Sequence, residues 1–229
     1  MKLVILGSTG LVGRGMLLEA LDDPAVSHVL SVGRTEVAEL HPKLRQLVHA
    51  DLYNATPIQN ELRGHDACAY CVGVSAIGMT EIEYTRITYD MTIAFANVFL
   101  AANPNSTFLY VTGQGTDSSE KGSMMWARVK GRTENALLAM PFKSATMFRP
   151  GVIQPHRGIK SRTAMYNMGF ALVRPLASWM VRNGKATSTT LMGQAMLEVI
   201  ERPPVQRLLG NKEINALGQQ RIDRRRAAT

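Results

Sequence analysis

From residue 2 onward the chain alternates short, unbroken apolar runs with longer stretches in which apolar positions recur every three or four residues. The runs "KLVILG", "HVLSVGR", "LVHADL", "ACAYCVG", "TFLYVTG" and "ATMFRPG" are short and apolar on both faces, which predicts buried strands of a parallel sheet. Between them, "LVGRGMLLEALDD", "EIEYTRITYDMTIAFANVFLAA" and "MMWARVKGRTENALLAM" have helical length and period. Strand–helix alternation with right-handed crossovers predicts an α/β fold, a Rossmann-like doubly wound parallel sheet over residues 1–150.

After Gly151 the pattern changes. "RTAMYNMGFALVRPLASWMVRNG" predicts helix broken near Pro175, and "TTLMGQAMLEVIERP" a further helix stopped by Pro203 and Pro204. "QRLLG" and "KEINALG" read as short strands. Residues 151–229 are too few for a core of their own. They predict a small C-terminal substrate cap, integrated with the sheet at its carboxyl end, where open α/β sheets bind ligands. The basic tail 221–229, "RIDRRRAAT", reads as a solvated, partly disordered terminus.

Composition changes this picture little. The 229 residues are 45% hydrophobic and 19% charged, enough for one large domain with a real core. Much of the formal charge of +8 sits in Arg221, Arg224, Arg225 and Arg226. Such a tail can touch nucleic acid or acidic lipid, but no RNA-binding signature or aromatic-interleaved basic patch accompanies it, so no specific nucleic-acid partner is expected. The sequence holds no run of about 18 apolar residues, and it opens on a strand rather than a basic, apolar leader, so the expectation is a cytoplasmic protein off the membrane. Cys68 and Cys71 form a CxxC inside an apolar run, without a second pair. They read as small buried hydrophobes, and no metal site is expected.

Chemistry enters with "VILGSTGLVGRG", in which Gly7, Gly10 and Gly13 stand between the first strand and the first helix. A dinucleotide loop needs glycine for its turn, for close approach of backbone to the diphosphate, and for helix–strand packing. The diphosphate then meets the free N–H groups and positive dipole end of the helix. This assigns Gly7, Ser8, Thr9, Gly10, Leu11, Val12, Gly13 and Arg14 to a coenzyme cradle. At the end of the second strand, a carboxylate would hold the ribose 2′-hydroxyl of NAD, whereas arginine accommodates the 2′-phosphate of NADP. Gly33 occupies the carboxylate position, Arg34 follows it, Arg14 can add a second charge, and Glu36 falls two places late. NADP(H) is therefore expected over NAD(H). Asp51, beside Leu52 in "HADL", either accepts from the adenine amino group or caps a helix. Gly73 and Val74, after the fourth strand, lie on the expected ribose and nicotinamide path.

The motifs "GSTGLVGR", "ADL", "GHDACAYCVG", "VKGRTE" and "FRPGVI" together resemble the atypical short-chain dehydrogenase/reductases, particularly the NmrA-like and Tat-interacting-protein branch, over residues 1–202. The resemblance implies NAD(P)(H) binding with variable activity: some branches are reductases or epimerases, others nucleotide-sensing regulators. It also implies a site built from a Ser or Thr after the fifth strand and a Tyr-x-x-x-Lys on the next helix. By position these are Thr112, with Gly113 beside it, and Trp126 and Lys130.

Trp126 departs from that pattern in a way that matters chemically. A tyrosine there exchanges a proton with the substrate while the lysine ammonium lowers its pKa. Indole N–H donates a hydrogen bond but is neither acid nor base near neutral pH. Trp126 is instead an apolar wall beside the nicotinamide or a packing residue. Tyr84, Tyr89, Tyr166 and Ser123 are the other hydroxyls that can substitute. The reading is an NADP(H)-binding oxidoreductase-like protein moving hydride to or from an unknown small carbonyl or alcohol by an atypical proton route. The alternative is a weak or inactive NADP(H)-sensing regulator acting through protein partners. A sugar-nucleotide epimerase is a third reading, against which the short C-terminal region and missing tyrosine count. The outer helices leave a homodimer open.

Overall fold

The computed structural model describes residues 1–159, 170 and 174–227. Seven parallel strands form one sheet in the order β3-β2-β1-β4-β5-β6-β9. They are β1 (Lys2–Leu6), β2 (His28–Gly33), β3 (Leu44–Val48), β4 (Ala67–Tyr70), β5 (Thr107–Val111), β6 (Ser144–Phe148) and β9 (Leu208–Leu209). The chain runs outward from β1 to β3, then returns to lay β4 on the other side of β1. That reversal opens a crevice at the carboxyl ends of β1 and β4, the place where such sheets bind ligands.

Alternation along each strand feeds two cores. Leu3 and Ile5 of β1, and Ala67 and Ala69 of β4, face one layer; Val4 and Leu6, and Cys68 and Tyr70, face the other. The first layer is covered by α1 (Leu11–Asp22) through Met16, Leu17 and Ala20. The second is covered by α2 (Gln59–Leu62), α4 (Met91–Ala102) and α5 (Met125–Ala139), around a ring cluster of Phe95, Phe99, Phe108 and Phe142.

The "EIEYTR…" segment does not run as one uniform helix. It opens as α3 (Glu81–Thr85) with a capping box between Thr80 and Glu83, and the two Thr80 donors hold the Glu83 carboxyl below its usual range. The turn Arg86–Asp90 then widens, so that the Met91 N–H reaches the Arg86 carbonyl, five residues back.

The C-terminal region departs most from expectation. After β7 (Val152–Gln154) and α6 (Ala177–Arg182), β8 (Ala186–Ser188) pairs with β7 in a small parallel sheet. Helix α7 (Thr189–Glu201) then packs on α1, placing Met192, Ala195, Met196 and Val199 in the first core. "QRLLG" forms β9 at the sheet edge. "KEINALG" is not a strand. It begins α8 (Asn211–Ala227), whose start is fixed by the Glu213 carboxylate accepting the Gly210 N–H at 2.9 Å. Ile214, Gly218 and Arg221 recur at helical spacing and are buried together.

The basic tail is likewise not a solvated arm through Ala227. Arg221 is 3% exposed and binds Asp23 at 2.9 Å and Glu201 at 2.6 Å, while Arg224 pairs with Glu198. Acidic partners on α1 and α7 draw these charges into the fold. The third strand also begins earlier than read, leaving Asp51 three positions past its end at Val48. Most of the stretch "RTAMYNMG…", expected as helix, lies with Tyr166 outside the described residues.

Candidate functional site

The loop leaving β1 turns at Gly7, whose φ is +77°, and a β-carbon there would lie 2.7 Å from the Cys71 carbonyl oxygen. Gly13 is equally constrained: its β-carbon would come within 2.2 Å of the Gly7 carbonyl oxygen. These two glycines let the loop fold against the end of β4 and then against α1. Gly10 is the N-cap of α1 and offers no side chain to its first N–H groups. Thr9, Leu11 and Val12 stand half-buried along this turn. Ser8 points inward, its oxygen accepting from the Ser31 hydroxyl at 2.8 Å, so only its backbone faces the crevice side.

At the tip of β2, Arg34 is exposed. Arg14 is not a free second cation: its Nη2 lies 2.7 Å from Glu39 Oε1. Asp51 is exposed, and its Oδ1 accepts the Tyr53 N–H at 3.0 Å, so it shapes a turn rather than capping a helix. Leu52 is buried, whereas Gly73 and Val74 are exposed beyond β4. Cys68 and Cys71 are free thiols, both pushed up by burial, Cys71 to about 12. That burial makes them unreactive packing groups.

Beyond β5 the geometry redirects one assignment. Thr112 Oγ1 donates to Glu134 Oε1 at 2.6 Å and is almost wholly buried, so this hydroxyl faces α5 rather than the crevice. Glu134 is fully buried and also receives Arg149 Nε at 3.1 Å. Lys130 Nζ donates to the Thr112 carbonyl at 2.8 Å and stands 3.9 Å from where a side chain on Gly113 would begin. Burial lowers the Lys130 pKa to about 8, against the opposing pull of Glu134.

One helical turn before Lys130, the Trp126 ring edge lies over Gly115. A β-carbon there would meet Cη2 at 3.3 Å. The loop carrying Gly115 is tied down by Asp117, whose carboxylate collects the N–H groups of Ser119, Lys121 and Gly122. Those donors and the Ser119 hydroxyl hold the Asp117 carboxyl below its usual range. Among the substitute hydroxyls, Tyr84 is buried with its phenol pushed up by desolvation, Tyr89 lies under the Arg132 guanidinium at 4.3 Å, and Ser123 is exposed.

Glu39, Glu134 and Arg149 were not among the residues read from sequence. Glu134 carried a signal, since it lies four positions after Lys130 and so shares its helix face. Glu39 sits in an irregular loop and carried none.

No protein-family model matches the chain. Among curated relatives, protein HTATIP2 of Rattus norvegicus is 26% identical over 220 residues, 94% of this chain and 88% of that protein. The mitochondrial protein FMP52 of Chaetomium globosum is 24% identical over 182 residues, 77% and 75% of the two chains. A UDP-glucose 4-epimerase structure matches with a TM-score of 0.69 at 12% identity, covering 94% of this chain and 80% of that one. A mutant uronate dehydrogenase from Agrobacterium tumefaciens, complexed with NAD, matches at 0.66 and 13%, covering 95% and 83%. The fold is thus a Rossmann-like α/β one. In sequence the chain is similar to HTATIP2 and FMP52, relatives that agree with the resemblance to the atypical short-chain dehydrogenase/reductases of the NmrA-like and Tat-interacting-protein-like branch. Among the described residues no helix is long and apolar enough to cross a membrane.

Proposed function

We infer that the protein is an NADP(H)-binding oxidoreductase-like protein, moving hydride to or from a small carbonyl or alcohol by an atypical proton route. One observation carries this reading: a side-chain-free helix start at Gly10 follows β1, and an exposed Arg34 follows its neighbour β2 at the same end of the sheet. The residues present fit the coenzyme. N–H groups of the Gly10–Gly13 turn suit a diphosphate, and Arg34 a 2′-phosphate, with Arg14 in reserve. Asp51, exposed with one carboxylate oxygen engaged in its turn, suits the adenine amino group. Gly73 and Val74 border the path toward the nicotinamide.

The bound coenzyme would supply hydride chemistry. Lys130 would bind its ribose and, with an amine that titrates near pH 8, hold or release the proton that Trp126 cannot. Trp126 would wall the crevice against water. The C-terminal region would supply the cap over a small carbonyl or alcohol substrate.

A second reading has its own support. With the Thr112 hydroxyl committed to Glu134 and an indole in the acid's place, the site suits a weak or inactive NADP(H) sensor that signals to a protein partner from the cytoplasm. Calorimetric titration with NADPH and NADH tests the shared foundation. The expected result is uptake of NADPH in preference to NADH, with Arg34→Ala weakening NADPH much more than NADH. Uptake of neither coenzyme overturns both readings. NADPH oxidation with some member of a carbonyl panel favours the enzyme, and silence across the panel favours the sensor.

A further inference from the structure

Arg14 and Glu39 meet at the edge of the cradle in an ion pair that is only half made. Arg14 Nη2 lies 2.7 Å from Glu39 Oε1, yet Arg14 Nε and Glu39 Oε2 are both covered from solvent and have no hydrogen-bond partner among the described residues. A guanidinium and a carboxylate can meet through two parallel bonds, and leaving covered polar atoms unpaired is costly. Each partner therefore retains capacity for something else.

The two sides of the pair differ. Glu39 is 15% exposed, and its loop is pinned to β3: the Val37 N–H donates to Gln46 Oε1 at 2.6 Å, and Gln46 Nε2 donates to the Val37 carbonyl at 3.1 Å. Arg14 is 43% exposed, on the first turn of α1, where its backbone N–H binds the Gly10 carbonyl at 2.9 Å. The carboxylate is the fixed end and the cation the accessible end.

We propose that Glu39 is a built-in counterion, withholding Arg14 from the adenosine end of the coenzyme until a 2′-phosphate takes it, so that Glu39 sets how strongly the site prefers NADPH to NADH. This rests on the NADP(H) reading above. A phosphate with close to two negative charges and three acceptor oxygens outcompetes a monodentate carboxylate for the guanidinium. The neutral 2′-hydroxyl of NADH does not, and Arg14 then stays on Glu39. Glu39 thus lowers affinity for NADPH, which has to displace it, and leaves NADH unaffected.

Calorimetry on the full chain with each coenzyme tests this. Glu39→Gln keeps the shape and removes the charge, and is expected to tighten NADPH roughly three- to fivefold while NADH stays within about 1.5-fold. In an Arg14→Met background the same change should tighten nothing. Glu39→Ala, with the same expected direction, serves should the glutamine variant fail to fold. If wild type binds NADPH and removing the Glu39 charge leaves that affinity unchanged, weakens it, or tightens both coenzymes alike, the counterion role is overturned and the NADP(H) reading stands. If wild type binds neither coenzyme, the NADP(H) reading fails and this proposal fails with it.

Discussion

The Thr112 hydroxyl donates to Glu134 Oε1 at 2.6 Å, joining the end of β5 to the middle of α5. Arg149, just past β6, holds the other side of the same carboxylate. The three side chains form a brace beneath the crevice, and Lys130 reaches the backbone of that brace at the Thr112 carbonyl. Thr112 consequently acts on stability before chemistry. Thr112→Val leaves a fully buried carboxylate short of one donor, which costs about 1–3 kcal/mol. Thermal unfolding should drop by several degrees, while calorimetric affinity for NADPH changes less than about twofold. A large loss of NADPH affinity at unchanged stability would return Thr112 to the crevice.

Trp126→Tyr places a phenol one helical turn from the Lys130 amine. The ring position already rests over Gly115, so a smaller aromatic enters without a clash. A phenol near that ammonium titrates below its ordinary range and can pass a proton, which general acid–base catalysis values at about 10²–10⁴-fold. NADPH consumption with a carbonyl panel should rise by at least about tenfold over wild type, with coenzyme affinity unchanged. Equal rates in the two proteins would show that proton transfer at this position does not limit turnover.

The strands and the glycine loop were legible because their signals are local. Continuous apolar runs and a glycine trio at a strand–helix junction need no distant partner to be read. Long-range pairing was not. Nothing near Arg221 in the sequence announces Asp23, 198 positions away, so a cluster of arginines looked like solvated charge. Thr112 was misdirected for the same reason: its position after β5 was legible, but its partner on α5 was not. Arg34 and Arg14 read alike as basic residues, and only the fold shows one exposed and the other bound to Glu39.

Lys130 gives a pH signature. Burial lowers its folded-state pKa from 10.5 to about 8, so between those values the unfolded chain holds a proton that the folded chain has released. Stability then rises with pH through that window, since the unfolded state binds more protons. Wild type should gain on Lys130→Met by on the order of 1–2 kcal/mol between about pH 7.5 and 9.5, measured by denaturant unfolding at both. A difference that stays flat across the window would mean that the amine keeps its ordinary pKa, and would remove it as a proton carrier near neutrality.

The C-terminal helix supplies the sharpest stability test. Arg221 binds Asp23 through Nε at 3.1 Å and Nη2 at 2.9 Å, and Glu201 through Nη1 at 2.6 Å, with Asp23 1% and Glu198 2% exposed. Arg224 and Arg225 also reach Glu198 and Asp23, so the acidic residues of α1 and α7 neutralise charges that the sequence alone presents as a free basic arm. Removing Arg221 leaves buried carboxylates with too few counterions, a loss of about 3–5 kcal/mol when one member of a buried pair is deleted. For a domain of this size that corresponds to a fall in Tm of roughly 6–20 °C. Arg221→Met should show it in thermal unfolding. A shift of no more than a degree or two would mean that apolar residues such as Ile214 and Leu217, rather than the buried charge cluster, hold α8 in place.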